Sequence, residues 1–186
     1  MVADSLFDAA GWRRSPDRWR TKNGRRFTIE LLTVGSGDNA VEQLVQADLA
    51  SRGIRVEIRQ LELATFLARA REQPKRFDLL ITGVPGDISL AHLASMYESR
   101  FANGALDYAG FHGTDIDALF ARVRSAADPA SARDAWMLVQ RRLADEAPAA
   151  WLYHSRGVQG VSGRLRGVTM DLRGEMATLA RWYVGS

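Results

Sequence analysis

The first half of the chain shows three segments with the pattern of β-strands. Hydrophobic and polar residues alternate over 27–34 and again over 54–58, where Ile54, Val56 and Ile58 are separated by charged residues. Residues 77–82 are instead nearly all apolar, which is typical of a strand that is covered on both faces of its sheet. We therefore predict three strands, the third being the most deeply buried.

Segments with a helical pattern separate these strands. Asp38 is placed to cap a helix that ends near Arg52, just before Gly53. A shorter helix is predicted over 63–71. The face of the first helix that is expected to pack on the sheet carries Val41, Leu44, Val45 and Leu49.

The order of these elements, β-α-β-α-β, predicts an α/β fold with a parallel sheet. With right-handed crossovers the simplest strand order is 2-1-3. The first and third strands are then neighbours, so the loops that follow them, 33–38 and 83–89, lie side by side. Ligands of open α/β sheets bind just beyond the carboxyl ends of the strands. The loop 83–89, with its single carboxylate at Asp87, is therefore the first candidate ligand site.

The second half of the chain is predicted to be mainly helical. A helix is expected over 88–100, another begins at Thr114, and a third follows the N-cap Asp128 and ends before Pro148. Between the first two lies a loop, 103–113, that is rich in glycine and aromatic residues, among them Tyr108.

The patterns at the two ends of the chain are weaker. Residues 3–10 predict a short helix and 13–24 a polar loop. A short strand is expected over 149–153, and Trp136 and Trp151 lie within apolar patterns that place them in the core. We predict an α/β ligand-binding lobe over 3–154 and a partly irregular tail over 155–186.

Composition excludes several classes of function. The chain is 46% hydrophobic, so it can form a core, and its net charge is only +3. Arginines are frequent over 13–26, but the segment lacks the aromatic platform, interleaved with a basic run, that single-strand nucleic-acid binding requires, so no nucleic-acid partner is expected. Disulfides and thiolate metal sites are excluded because cysteine is absent. No run of about 18 apolar residues occurs, so no membrane insertion is expected.

One motif suggests an enzyme. Gly35-Ser-Gly-Asp-Asn-Ala40 fits the G-x-G-x-x-A dinucleotide pattern between a strand and a helix, so a Rossmann-type nucleotide-binding enzyme stays open as an alternative. Two features count against a dinucleotide site. Asp38 would place a carboxylate where the pyrophosphate should bind, and the only candidate for the acidic residue that binds the ribose is Glu62. The three histidines lack metal-ligand spacing. We expect no catalytic residues, no metal and no cofactor.

Six blocks of the sequence together resemble the second, C-terminal lobe of a family 5 extracytoplasmic solute-binding protein of the dipeptide, oligopeptide and nickel type. They follow one another in the order found in that family. The blocks are Leu6–Trp12, Phe27–Leu32, Ala47–Ile58, Phe77–Asp87, Tyr108–Leu119 and Asp128–Tyr153.

This resemblance implies a periplasmic-binding-protein type II-like lobe of three layers and a function without catalysis. Two lobes would close on a peptide-like or other small solute and deliver it to the permease subunits of an ABC importer. The first lobe of the family has no counterpart here, and the N-terminus is too polar for a signal peptide, so the chain is expected to be a fragment of a periplasmic or extracytoplasmic protein.

The resemblance also implies which residues bind the solute. Asp87 matches the family position whose carboxylate pairs with the α-amino group of a peptide. Val84 stands where the family usually has tryptophan, so an aromatic wall is missing, and Ile88 begins a further departure. The expected ligand-binding residues are Asp87, Gly86, Val84, Ser36, Asp38 and Tyr108. A ligand-sensing domain of a transcription regulator is the second alternative, because similar modules also occur joined to DNA-binding domains.

Overall fold

The structure is a computed structural model, and it describes residues 2–35, 37–84, 91–154, 160–169 and 176–185. The chain divides into two compact units, which are described one after the other. The first comprises Met1–Val84 with Arg100–Gly110, and the second comprises Pro85–Ser99 with Phe111–Ser186.

The first unit begins with a helix and a small antiparallel sheet. Helix α1 spans Val2–Ala9, and three short strands follow in the order β1-β2-β3. The strands are β1 (Arg13–Arg14), β2 (Arg20–Lys22) and β3 (Arg25–Arg26). The prediction of a loop over 13–24 was wrong at β1 and β2, while β3 lies just outside that range. Each has only two or three residues, too few to produce a recognisable alternation.

The main sheet of this unit is parallel, as predicted. Strand β4 (Thr28–Val34) lies between β5 (Arg55–Leu61) and β6 (Leu79–Leu80), so the order is β5-β4-β6, the predicted 2-1-3. The crossovers contain helix α2 (Ala40–Ser51) and helix α3 (Leu63–Arg71). This confirms the α/β fold class that the order of the segments predicted.

Adjacent residues of β4 face different layers because side chains alternate across a strand. Leu32 is fully buried with Phe66 and Ala70 of α3. Its neighbour Thr33 points to the opposite face, where its hydroxyl donates a hydrogen bond to Glu42 of α2. The two helices therefore cover opposite faces of β4 and form three layers with the sheet.

Two predictions of burial were wrong in this unit. Leu44 of α2 is 69% exposed, because fewer of the apolar residues of this helix contact the sheet than the sequence pattern predicted. The third strand pairs only over Leu79–Leu80, and Leu79 is 39% exposed. Just before that strand the Asp78 carboxylate accepts a hydrogen bond from Glu30 N (2.8 Å). The side chain of Asp78 thus replaces a backbone carbonyl as the partner of this amide of β4, which shortens the pairing between the strands.

The second unit contains three α-helices among the residues described. They are α4 (Ala91–Tyr97), α5 (Thr114–Arg124) and α6 (Pro129–Glu146). A short 3-10 helix, Ser99–Phe101, follows α4, so the predicted helix over 88–100 is interrupted. Helices α5 and α6 pack together, and Phe120 meets Trp136 edge to face with ring centroids 5.8 Å apart.

Helix α6 begins and ends where the sequence predicted. The Asp128 carboxylate accepts hydrogen bonds from Ala130 N and Ser131 N, both at 2.9 Å. Ala147 adopts a left-handed conformation after the last turn, just before Pro148. The strand predicted over 149–153 does not form in this described stretch, and Trp151 is 58% exposed rather than buried.

The described part of the tail forms a two-stranded antiparallel sheet. Strand β7 (Leu165–Arg166) pairs with β8 (Tyr183–Val184), and a 3-10 helix, Leu179–Arg181, precedes β8. Over the described ranges of the whole chain, none of the helices combines the length and the apolar character needed to cross a membrane.

Candidate ligand-binding site

The topology predicted a ligand site at the carboxyl ends of the parallel strands. The chain leaving β4 turns over the end of β5, because Gly35 N donates a hydrogen bond to Leu61 O (3.2 Å). Gly35 has a φ of +143°, a conformation that favours glycine. On the other side of β4, Ile81 N donates to Leu32 O (2.9 Å) and holds the segment after β6 beside the central strand.

The segment after β6 is described as far as Val84, which is half-buried. Gly86 and Asp87, two of the predicted ligand-binding residues, lie outside the described residues. Ser36, in the loop after β4, also lies outside them. Ile81 lies on the same side of β4 as β6.

Asp38 has a structural partner at the start of α2. Its Oδ1 accepts a hydrogen bond from Ala40 N at 3.0 Å, and its side chain is exposed. Glu62, the acid that a dinucleotide site would use for a ribose, caps α3 and accepts hydrogen bonds from Ala64 N (2.9 Å) and Thr65 N (3.3 Å). Both carboxylates thus satisfy backbone donors at helix starts.

Tyr108 lies in a loop that belongs to the same unit as the sheet. It is half-buried and packs against the core cluster of Leu32, Phe66 and Ala70. The cluster includes the middle of β4 and two residues of α3, so the loop is anchored on the α3 face of the sheet. Leu80 of β6 packs against the same cluster, so Tyr108 and the third strand of the sheet share one side of the core.

The sequence reasoning missed Asp107, the residue before Tyr108. Its side chain is buried, and its carboxylate accepts hydrogen bonds from Asn103 N (2.7 Å) and Gly110 N (2.9 Å). An aspartate among glycine and asparagine in a loop is a known sequence signal for such side-chain-to-backbone bonds. That signal was present in the sequence, but it does not indicate which backbone groups the carboxylate would reach.

Cationic side chains from the α3 region also hold this loop. Arg71 Nε donates to Ala105 O (3.3 Å). Lys75 Nζ donates to Ala70 O (2.7 Å); burial lowers the pKa of Lys75, and the charge of Asp107 opposes this shift. The loop is thus attached to the sheet layer by packing of Tyr108, by hydrogen bonds and by charge.

A metal site and a cavity are two further kinds of candidate site in the part of the chain that the structure describes. The described residues contain no group of three or more acidic or histidine side chains arranged to hold a metal ion. An open cavity of about 290 Å³ lies in the tail, with Val161, Leu165 and Trp182 among its lining residues. None of the predicted ligand-binding residues that the structure describes lines it.

Comparison with known proteins gives no match by sequence and clear matches by structure. No protein-family model and no curated protein matches the chain. The oligopeptide-binding protein AppA from Bacillus subtilis, solved with a nonapeptide, matches 100% of this chain and 37% of its own with a TM-score of 0.81 and 20% identity. NikA from Brucella suis, solved with Fe(III)-EDTA, matches 78% of this chain and 30% of its own with a TM-score of 0.62 and 28% identity.

A third match is the oligopeptide-binding protein from Thermus thermophilus, solved with a pentapeptide. It matches 78% of this chain and 28% of its own, with a TM-score of 0.65 and 23% identity. The chain therefore spans about a third of the length of the solved proteins it matches. The resemblance to family 5 solute-binding proteins is confirmed at the level of the fold, for a part of those proteins.

Proposed function

We propose that this chain is one lobe of a two-lobed solute-binding protein and that it binds a small, peptide-like solute at the carboxyl edge of its parallel sheet. The observation that carries this proposal is the match of the whole chain to an oligopeptide-binding protein at a TM-score of 0.81. The strand order adds independent support, because it brings the segment after β6 beside β4 at the edge where α/β sheets bind ligands.

Asp87 is the proposed partner of the solute's ammonium group. A carboxylate that faces a closing cleft loses competing water, so its charge-assisted hydrogen bond to an ammonium becomes stronger. Gly86 and Val84 would line the same loop, while Ser36 and Asp38 would contribute from the loop after β4. Tyr108 would supply an aromatic surface from the loop anchored on α3.

The proposed partners follow from the two-lobed arrangement. A first lobe would supply the other half of the cleft, and closure of the two lobes would present the solute to the permease subunits of an ABC importer in the periplasm. No nucleic acid and no cofactor enter this proposal. The role is binding rather than catalysis.

The test is isothermal titration calorimetry of the complete natural protein with tetraalanine that has a free amino terminus. We expect saturable binding, and we expect Asp87→Ala to weaken it by about 1.5–3 kcal/mol, the range for hydrogen bonds to charged groups. Asp48→Ala, which removes an exposed carboxylate from α2, serves as the control and should leave the affinity unchanged.

Amino-terminal acetylation of the peptide separates the role of Asp87 from general loss of the site. Acetylated tetraalanine lacks the ammonium, so Asp87→Ala should change its affinity little. Equal binding of the free peptide by the wild type and Asp87→Ala would contradict the assignment of Asp87. A second titration uses Ni(II)–histidine, because NikZ from Campylobacter jejuni, solved with Ni(L-His), also matches this fold. Failure of both probes to bind would contradict the proposed function.

A further inference from the structure

The loop that carries Tyr108 is closed from inside by one carboxylate. Asp107 is 2% exposed, and its two oxygens bind backbone amides on opposite sides of it, at Asn103 (2.7 Å) and Gly110 (2.9 Å). Asn103 and Gly110 both have positive φ, at +62° and +61°. The carboxylate therefore bridges two residues of the loop that have positive φ.

The backbone within this loop is also closely bonded. Gly104 N donates to Phe101 O (2.9 Å), Asp107 N donates to Gly104 O (3.2 Å), and Tyr108 N donates to Leu106 O (2.8 Å). The last bond spans only two residues, which makes a tight turn at Asp107 itself. These bonds constrain the backbone on both sides of Asp107 and at Tyr108.

The charge of Asp107 has a counterpart in the α3 region. Lys75 interacts electrostatically with Asp107 and is anchored through its own hydrogen bond to Ala70 O (2.7 Å). Ala70 belongs to the same core cluster against which Tyr108 packs. A buried carboxylate needs such a partner, because desolvation without compensation is costly. Lys75 and Tyr108 thus both contact Ala70 or its cluster, and Lys75 feels the charge of Asp107.

We propose that Asp107 is a positioning residue that fixes the ring of Tyr108 where it contacts the solute. This inference rests on the proposed function and extends it to a residue that would not itself touch the solute. Asp107 acts through the loop geometry, and its removal frees both residues with positive φ and allows the ring of Tyr108 to leave its position.

The test is a double-mutant cycle in the complete natural protein, with tetraalanine as the probe and calorimetry as the readout. Asp107→Ala is expected to weaken binding about tenfold, and Tyr108→Ala by at least as much. In the Tyr108→Ala background, Asp107→Ala should change the affinity less than about twofold, since the group it positions is gone. A purely structural role would not produce this coupling.

The matched control is Asp128→Ala. Asp128 also accepts two backbone hydrogen bonds, at the start of α6, so its loss should lower the melting temperature but leave the affinity unchanged. Asp107→Asn keeps one carbonyl acceptor and serves as the milder variant if Asp107→Ala fails to fold; its affinity should lie between those of the wild type and Asp107→Ala.

Three results would overturn the inference. One is an unchanged affinity in the Asp107 variants, another is an unchanged affinity in Tyr108→Ala, and the third is a loss from Asp107→Ala that persists in full without Tyr108. These outcomes leave the proposed function standing as long as the wild type binds the probe and Asp87→Ala binds it more weakly. A wild-type protein that binds neither tetraalanine nor Ni(II)–histidine removes the proposed function and this inference together.

Discussion

Arg20 donates a hydrogen bond from Nη2 to the Asp4 carboxylate at 2.7 Å, and the arginine side chain is only 2% exposed. Its other donors reach Asp8 Oδ1 (2.6 Å), Trp12 O (2.6 Å) and Arg52 O (2.8 Å). A single guanidinium thus joins α1, the turn after it and the end of α2. Arg20 is the point where the start of the chain is attached to the first unit.

Replacement of Arg20 is expected to destabilise the chain strongly. Arg20→Met removes this set of bonds and leaves two backbone carbonyls without their donor, so the free energy of unfolding should fall by about 2–4 kcal/mol. Urea denaturation followed by circular dichroism measures the change. Arg14→Met is the matched control: Arg14 is exposed, also pairs with Asp4 (3.6 Å), and should cost less than about 1 kcal/mol. Equal losses in the two variants would show that Arg20 has no special role.

The stability of the chain should depend on pH through Asp4. The hydrogen bond from Arg20 holds the pKa of the Asp4 carboxyl below its ordinary value of about 3.8. A carboxyl whose pKa is lower in the folded state stabilises that state above the ordinary pKa, and this contribution is lost as pH falls through the lowered pKa. The free energy of unfolding of the wild type should therefore fall more steeply below pH 3.8 than that of Asp4→Asn. Denaturation curves at a series of acidic pH values test this, and parallel pH profiles would contradict it.

Gly53 is required at its position for two reasons that can be separated. Its φ is +85°, and a Cβ placed there would lie 2.8 Å from Arg18 O. Gly24 has a similar φ, +74°, but nothing lies within 4 Å of its added Cβ. Gly24→Ala should therefore cost only the conformational strain, about 1 kcal/mol, whereas Gly53→Ala should cost clearly more. Thermal denaturation of both variants gives the comparison, and equal melting temperatures would exclude the predicted clash.

Truncation of a buried leucine and of an exposed leucine in this unit should have very different effects on stability. Leu32→Ala removes the centre of the cluster with Phe66 and Ala70 and should lower the free energy of unfolding by about 2–5 kcal/mol. Leu44→Ala removes a leucine that the helical pattern placed in the core but that is exposed in the structure. Its effect should stay within about 0.5 kcal/mol. A large loss from Leu44→Ala would contradict the orientation of α2 in the structure.

The candidate site could be predicted from the sequence only in outline. The order of strands and helices was enough to predict which strands are neighbours, because right-handed crossovers permit few arrangements. Tyr108 was selected because it lies in a loop rich in glycine and aromatic residues, but its anchoring on the core beside Leu32 was not foreseeable. Asp107 and Lys75 are separated by 32 positions, and no local pattern connects them.

By itself the sequence determined the local elements: the alternation of β4 and β5, the capping of α6 by Asp128 and the β-α-β-α-β order all depend on neighbours within a few residues. Tertiary structure decided the rest, since burial depends on what else reaches a surface. Leu44 and Trp151 have apolar side chains but no described layer that covers them fully, whereas the charged Arg20 is buried and pairs with Asp4 and Asp8 of helix α1. Hydrophobic periodicity reports which side chains can be buried, and only the packing of the elements determines which of them are.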